Sequence, residues 1–573
     1  MKYTKFIIKN YKAINYLEVN MGNNIMPLIG VNESGKTSIL QAILAFDKDK
    51  DNLLDGYHVD PKNRYLTKQE NCDLVACLCI ESKEEYEEIG EQISLNMDNS
   101  LYSWLKGKYE NQQPIELKRN YENNKFQKTY EIINEPVEIL SNPKIQQLIK
   151  ALTKKLPTIL YFDDFSDRVP EEVVFFENYC DDGKLSRGKA REWQEIIQEV
   201  FDRALIDEEL DLKKFLKLEN EDDRGNFLSD VNKKLNSEII TEWKRLKATY
   251  TELQSEGNDN LSVKIEYIPN NGTHKFKFKV IDSERNDRDR IFDINTRSKG
   301  FQWFFNFIIK LRFNPKYKEN PRNAIFLLDE PGSYLHSSAQ VGLLKVLKDI
   351  AENNIIIYCT HSQYLLDPDI INISSIKIVS KSDGAINLKK YGDSGITESL
   401  GAFSALNDAL HLKFGFNEQI LKKVILTEGI TDYYFYKMFL CIDDINYIPG
   451  VGCSQLRELI SILISCSDAF LVILDNDTAG RKAYQKYSKF FQDSFEKNSY
   501  QYQDLCKSDY ELEDIISDEY KEMILKHTGC KNIKNSLVEL YFDENKSEII
   551  NKIDKKTQTS LDILKRKIMD NFN

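Results

Sequence analysis

The sequence contains no run approaching the ~20 consecutive apolar residues of a membrane-spanning helix, so no membrane role is expected. Its 10 Cys include no CxxC pair and no other metal-type spacing, which excludes a cysteine metal site. The opening MKYTKFIIKNYKAINYLEV is basic but alternating; it lacks the apolar stretch of a signal peptide and reads as strands. Reduced, buried thiols and a cytoplasmic location are therefore expected. With 13 Pro, no low-complexity tract and no internal repeat, a long linker and a repeat architecture are both excluded. A basic excess is missing too: 78 Lys+Arg against 91 Asp+Glu leaves −13. Any nucleic-acid contact must use a local basic patch or metal ions seated among acids.

What is present is an ordinary folded composition, 41% hydrophobic and 29% charged, in 573 residues. At roughly 150 residues per domain, two to four domains are expected. Short strands are predicted at Lys5–Lys9, Leu17–Asn20 and Ile25–Ile29, then at Leu74–Ile80 and Thr158–Phe162. Residues 190–253 are charged and helix-like and read as an arm, after which alternation returns at Leu261–Tyr267 and Lys275–Val280. The runs IFLLDE, IIIYCTHS, KKVILTEG and AFLVILDND are continuous apolar strands, which implies sheets covered on both faces.

The segment Gly30-Val31-Asn32-Glu33-Ser34-Gly35-Lys36-Thr37 fits G-x-x-x-x-G-K-[ST] with a strand before it and a helix after it. Its glycines let backbone N–H groups curl round phosphate oxygens, and the helix N-terminus adds its positive dipole end. Gly30, Asn32, Gly35, Lys36, Thr37 and Ser38 are the candidate nucleotide contacts. Lys36 is expected to neutralise the β/γ-phosphates of ATP, and Thr37 to hold Mg²⁺ through its hydroxyl. Asp329 and Glu330 close the strand IFLLDE, Asp329 as a Mg²⁺ partner and Glu330 as the catalytic group that polarises the attacking water. His361 ends a further strand and is a candidate γ-phosphate contact.

These elements resemble the ABC-type ATPases of the SMC and RecF kind, whose opening is matched by IIKNYKAI followed by GVNESGKTS. That family also carries an LSGGQ-like signature. Its best match here is Ser298-Lys299-Gly300-Phe301-Gln302, with Ser298 and Gly300 as cofactor-binding candidates; Lys299 replaces a small residue and Arg297 the first Leu. The resemblance implies a head-to-head dimer. The insertion before the signature is too short for SMC-length coiled-coil arms and fits a compact helical arm, expected as a dimer contact.

A second set of acids follows. Glu428-Gly429 ends the strand KVILT, with Asp432 one helical turn beyond, and Asp475-Asn476-Asp477 ends FLVIL. Adjacent parallel strands ending in acids would gather carboxylates at one sheet edge. Such crowding is relieved by divalent cations, and all-oxygen donors favour Mg²⁺ or Mn²⁺. Two such ions can hold the attacking and leaving oxygens of a phosphodiester. This pattern resembles the Toprim fold, with Glu428 as the first acid, Asp475 and Asp477 as the DxD pair and Gly450-Val451-Gly452 as a tight turn.

The combination resembles the OLD (overcoming lysogenisation defect) family of ATP-dependent endonucleases, which includes the nuclease subunit of Gabija-type anti-phage systems. The resemblance implies an α/β fold: an ABC/SMC-like ATPase head at 1–190 and 257–400 with the arm inserted at 191–256, a helical connector at 401–420, and a C-terminal Toprim domain with a helical tail at 421–573. It implies Glu428 and Asp432 as metal-binding acids, a further acid at Glu513 or Asp514, and a catalytic lysine for which Lys555 or Lys556 is the candidate, Lys556 being preferred. The activity implied is nucleotide-regulated, metal-dependent nicking of DNA in phage defence. DNA phosphates would be contacted by clusters such as Arg481-Lys482 with Lys486, or Lys565-Arg566-Lys567, in a homodimer or higher oligomer acting alone or with a helicase-like or other defence partner. Two alternatives stay open: a nucleotide-dependent sensor or scaffold that recruits an effector, and a metal-dependent nuclease acting on RNA such as tRNA.

Overall fold

The computed structural model describes all residues except 48–70, 96–98, 123–124, 128, 164–167, 187–188, 205–210, 249–260, 271, 284–288, 314–322, 383, 391–422, 443, 451, 454–455, 468, 503–510 and 573. The helical connector expected at 401–420 lies outside the described residues. The chain forms two compact units, Met1–Leu365 with Lys377–Lys389, and Leu366–Ile376 with Lys390–Asn573.

The first unit carries a six-stranded sheet in the order Ala385–Lys390, Lys377–Ser382, Ile25–Ile29, Ile355–Cys359, Ile325–Asp329, Ile159–Asp163. From Lys377–Ser382 onwards the pairings are parallel. Ile325 to Leu328 and Ile355 to Cys359 are all buried, as continuous apolar runs require in a sheet covered on both faces. A second sheet is antiparallel, built on Ile14–Asn20, Lys2–Tyr11, Cys72–Cys79 and Ile115–Glu122. Along Lys2–Tyr11 the buried residues change parity from Tyr3 to Phe6 and Ile8. A register shift between Tyr3 and Lys5 absorbs the extra residue and keeps the apolar side chains on the core face.

The helix Lys36–Leu44 lies between these sheets. Its Ile39, Leu40 and Ile43 share one core with Phe6, Ile8 and Leu74 of the antiparallel sheet and with Leu327, Ile355 and Ile357 of the parallel one. Its far end is fixed by donors: the buried Arg119 Nη1 donates to the Ala45 carbonyl at 2.6 Å, and Tyr130 Oη to the Phe46 carbonyl at 2.8 Å. A cation at a helix C-terminus also complements the macrodipole.

The described part of the stretch read as a helical arm is helical. Its helices are Lys189–Ala204, Leu212–Lys217 and Glu221–Ala248. The last lies along a small antiparallel sheet whose strands Leu261–Asn270 and Thr273–Asp282 pair throughout. Asn236 accepts from Val263 N and donates to Val263 O, both at 2.6 Å, and Asn232 accepts from Ile265 N at 2.6 Å. Spaced i, i+4 on one helix face, the two amides satisfy the edge of the strand as a neighbouring strand would.

The second unit has a four-stranded sheet in the order Asn446–Ile448, Val424–Thr427, Phe470–Leu474, Ser499–Gln501, every pairing parallel. Val424–Thr427 is followed in sequence by the strand on one side of it and then by the strand on the other. The order therefore reverses between Val424–Thr427 and Phe470–Leu474, the place where open α/β sheets leave a crevice at their C-terminal ends. The helices Ile430–Phe439, Asp518–Thr528, Ile533–Phe542 and Lys555–Phe572 share its core through Tyr433, Phe435, Tyr520, Ile524, Leu537, Leu540, Leu561 and Leu564. The segment Leu366–Ile376 is held in this unit by Asp369, which accepts from Tyr433 Oη at 3.0 Å and Lys437 Nζ at 2.6 Å.

Candidate functional site

In the first unit the loop 30–35 turns the strand Ile25–Ile29 into the helix Lys36–Leu44. Gly35 adopts φ +104° as the residue before the helix, and Glu33 also has positive φ. A Cβ on Gly30 would stand 2.4 Å from the Val379 carbonyl oxygen, so only glycine fits there. Lys36 Nζ donates to Gly30 O at 2.8 Å and Val31 O at 3.3 Å and lies 2.9 Å from His361 Nε2. An ammonium only donates, so that histidine nitrogen accepts and its ring is neutral. Burial, then the Lys36 charge, hold the His361 pKa below its ordinary value, in agreement. Burial also lowers Lys36, opposed by Cys359, Glu330 and Asp329.

Thr37 Oγ1 donates to Asp329 Oδ1 at 3.2 Å, and Tyr161 Oη to Asp329 Oδ2 at 3.4 Å. A hydroxyl and a carboxylate so paired are the donors a hard cation takes beside a triphosphate. Glu330 has φ +50° and accepts from His361 N at 3.2 Å. Asn32 is exposed in the loop, Ser38 lies half-buried in the first helical turn, and the buried Ser34 Oγ has no partner among the described residues. Ser298 caps the helix Lys299–Arg312 by accepting from Phe301 N at 3.3 Å. Gly300 packs against the loop after Glu330, where a Cβ would stand 2.9 Å from Tyr334 O. The motif reading missed Gln340, which braces the same loop by donating to Gly332 O at 3.0 Å and Leu335 O at 3.2 Å while accepting from Ser362 Oγ.

In the second unit the register pairs Thr427 with Ile473, which brings the following acids together at the reversal of strand order. Glu428 Oε2 accepts from Asp475 N at 2.8 Å. Asp432 is buried at the third position of the helix Ile430–Phe439, accepts from Gly429 N at 2.9 Å as a cap, and meets Tyr502 Oη at 3.4 Å. Asp477 caps the helix Thr478–Phe491 by accepting from Gly480 N at 2.6 Å. Asp475 Oδ1 is buried without a partner among the described residues. Two glycines make the approach possible: a Cβ on Gly480 would stand 2.1 Å from Asp475 O, and one on Gly450 2.4 Å from Thr427 O. The expected turn is anchored there, Gly450 N donating to Thr427 O and Gly452 N to Glu428 O, both at 3.0 Å, while Val451 lies outside the described residues.

Burial, then Asp475, pushes the Glu428 carboxyl up to about 7. Burial, followed by Asp475 and Glu428, raises Asp432. Asp475 is raised by burial, opposed by Lys534 and the Leu512 amide. Burial, then Glu428 and Asp477, pushes the Cys453 thiol up to about 11, so it stays protonated among these acids. Among the described residues no three His, Cys, Asp or Glu side chains stand at ligating spacing. Glu513 Oε1 pairs with Lys534 at 2.9 Å, and its buried Oε2 has no partner among the described residues. Lys534 is also the cation that lowers Glu428, Asp432 and Asp475. Lys556 is exposed at the start of the helix Lys555–Phe572, its backbone N donating to Asp554 at 2.8 Å. Lys534 had no motif to mark it among the many lysines of the tail.

Fold and phosphate loop together define a P-loop ATPase. A model of the AAA ATPase domain family matches residues 1–366, and the chain belongs to that family. The expected ATPase and nucleotide binding stand on this match. An uncharacterized protein of Methanocaldococcus jannaschii, MJECL43, is 35% identical over 74 residues, 13% of this chain; the match spans 19% of that protein's length. Among solved structures, an SMC head bound to the C-winged helix domain of ScpA is 11% identical over 68% of this chain and 97% of its own, with TM-score 0.38. The SMC head domain from Thermotoga maritima is 12% identical over 68% and 99%, with TM-score 0.31. An SMC head with an extended coiled coil, bound to the C-terminal domain of ScpA from Pyrococcus furiosus, is 12% identical over 71% and 99%, with TM-score 0.34. No described helix is long and apolar enough to cross a membrane.

Proposed function

We propose that the chain is a nucleotide-regulated, divalent-metal-dependent endonuclease of the OLD type, with a Toprim-like second unit that nicks DNA in phage defence, acting as a homodimer or higher oligomer. The observation that carries this reading is the carboxylate crowd at the strand-order reversal, with Asp475 Oδ1 buried and unpartnered among the described residues and Glu428 pushed up to about 7. Buried acids that repel each other and leave an oxygen unused suit a hard cation; Glu428, Asp475 and Asp477, which do not stand at ligating spacing in its absence, would be its holders. When bound, Mg²⁺ or Mn²⁺ supplies positive charge against the phosphate oxygens. Asp432 positions the cluster by capping the helix that follows Glu428. Lys534, 49% exposed at its side chain, offers a solvent-facing charge for the scissile phosphate in the role first given to Lys556. In the ATPase unit, Lys36 would exchange its loop carbonyls for the triphosphate, Thr37 and Asp329 would hold Mg²⁺, and Glu330 would orient water.

The test is a nicking assay on supercoiled DNA with Mg²⁺ or Mn²⁺, with and without ATP. Wild type converts the substrate to open circles, and Glu428→Ala reduces conversion to background. Equal nicking by wild type and Glu428→Ala would overturn the reading. Cleavage confined to RNA would shift the substrate and keep the site.

A further inference from the structure

The helix Thr478–Phe491 begins at its cap Asp477, directly beside the acid cluster. It contains Arg481, Lys482, Lys486 and Lys489 and no acid, in a chain whose net charge is −13. Lys482, Lys486 and Lys489 are exposed and fall at i, i+4 and i+7, one stripe along the helix. None of the three forms an ion pair among the described residues. Helix stability accounts for Lys489, in the last turn, but not for Lys482, which sits near the N-terminal end where the macrodipole disfavours cations. Arg481 is anchored to the Asn476 carbonyl. The next residue on the stripe is Phe490, 55% exposed, with the Arg457 guanidinium 4.0 Å from its ring centroid. An exposed aromatic ring paired with a guanidinium, at the end of a row of unpaired lysines, is the equipment of a strand-binding surface: cations track phosphates and the flat group stacks a base.

We infer that this helix guides an unpaired nucleic-acid strand past the acid cluster, with Lys482, Lys486 and Lys489 along its phosphates and Phe490 with Arg457 stacking a base. The inference rests on the nuclease reading for what lies at the head of the track, and it assigns that site a substrate with a single-stranded segment. The bases of a duplex already stack on each other, so a duplex uses the lysines and leaves Phe490 idle.

The experiment is fluorescence anisotropy with full-length protein, a labelled single strand and its blunt duplex, over a salt series without divalent cations. Phe490→Ala weakens single-strand binding by roughly 5- to 150-fold. It leaves duplex binding unchanged, and Phe490→Trp retains wild-type affinity. Replacing Lys482, Lys486 and Lys489 by Ala flattens the slope of log affinity against log salt by about 2 on the single strand. An unchanged single-strand affinity in Phe490→Ala, equal losses on strand and duplex, or an unchanged salt slope overturns the inference. Melting temperature and nucleotide binding of each variant separate these results from misfolding. Binding is read without cutting. A protein that binds through Phe490 yet never nicks overturns the nuclease reading alone, and one that nicks but ignores Phe490→Ala overturns the track alone.

Discussion

Each of the two units ends a parallel sheet in charged side chains, and the two ends carry opposite wiring. In the first, a lysine sits at the centre and is held by carbonyls and a neutral histidine. In the second, Glu428, Asp432 and Asp475 crowd together and Lys534 is the cation that acts on them. Burial works on both, lowering Lys36 and raising the carboxyls. Each end is therefore short of the charge it lacks, an anion in the first and a cation in the second. The same backbone device presents both, and the side-chain types decide the ligand.

The comparison breaks most visibly if the two ends respond to the same variant. Lys36→Ala weakens binding of a fluorescent ATP analogue by roughly 10- to 150-fold, the weight of one charge-assisted contact. It leaves the stabilisation of the protein by Mg²⁺ or Mn²⁺ in the absence of nucleotide unchanged. Glu428→Gln does the reverse, removing the cation-induced rise in melting temperature while nucleotide affinity holds.

A smaller effect sharpens the claim that the acids are brought together by close backbone approach. Gly480→Ala puts a methyl where the Asp475 carbonyl oxygen stands and destabilises the fold by about 1–3 kcal/mol, read by urea unfolding. Gly452→Ala, at φ +96° with open space around it, costs about 1 kcal/mol through backbone strain alone. Equal losses would remove steric approach as the reason for glycine at 480.

The smallest effect is in pH. A raised carboxyl pKa means that the folded state keeps protons the unfolded chain has released, so stability falls as pH rises from the ordinary carboxylate range through about 7. The metal-free melting temperature should drop by a few degrees between pH 5 and 8. Mg²⁺ or Mn²⁺ should recover more at pH 8 than at pH 5, because cation and proton compete for the same oxygens. A melting temperature that rises over this window would show that the fold does not hold these carboxyls protonated.

Much of this was legible in the residues. The phosphate loop announces itself because its chemistry is local: glycines at fixed spacing, a lysine, and a strand and helix on either side. The four apolar runs reported their own burial for the same reason. In the stretch 191–256 the helical character was legible and the packing was not, because a helix with one solvated face looks alike whether its other face meets a partner or its own sheet. Nothing near Asn232 and Asn236 indicates that their amides will meet Val263 and Ile265. The tail lysines were ambiguous because Lys534 and Lys556 differ only in what the chain folds against them.

The residue order alone determined that this protein has a triphosphate loop, apolar strands that end in acids, and no excess of basic charge, since each is a property of neighbours along the chain. Only the tertiary structure decided that Glu428 meets the Asp475 amide and that a lysine from a distant helix acts on the same acids. It likewise decided that the phosphate-loop lysine rests on its own carbonyls. Those are distances across the fold, set by strand register and by where glycine lets two backbones touch, and local sequence does not encode them.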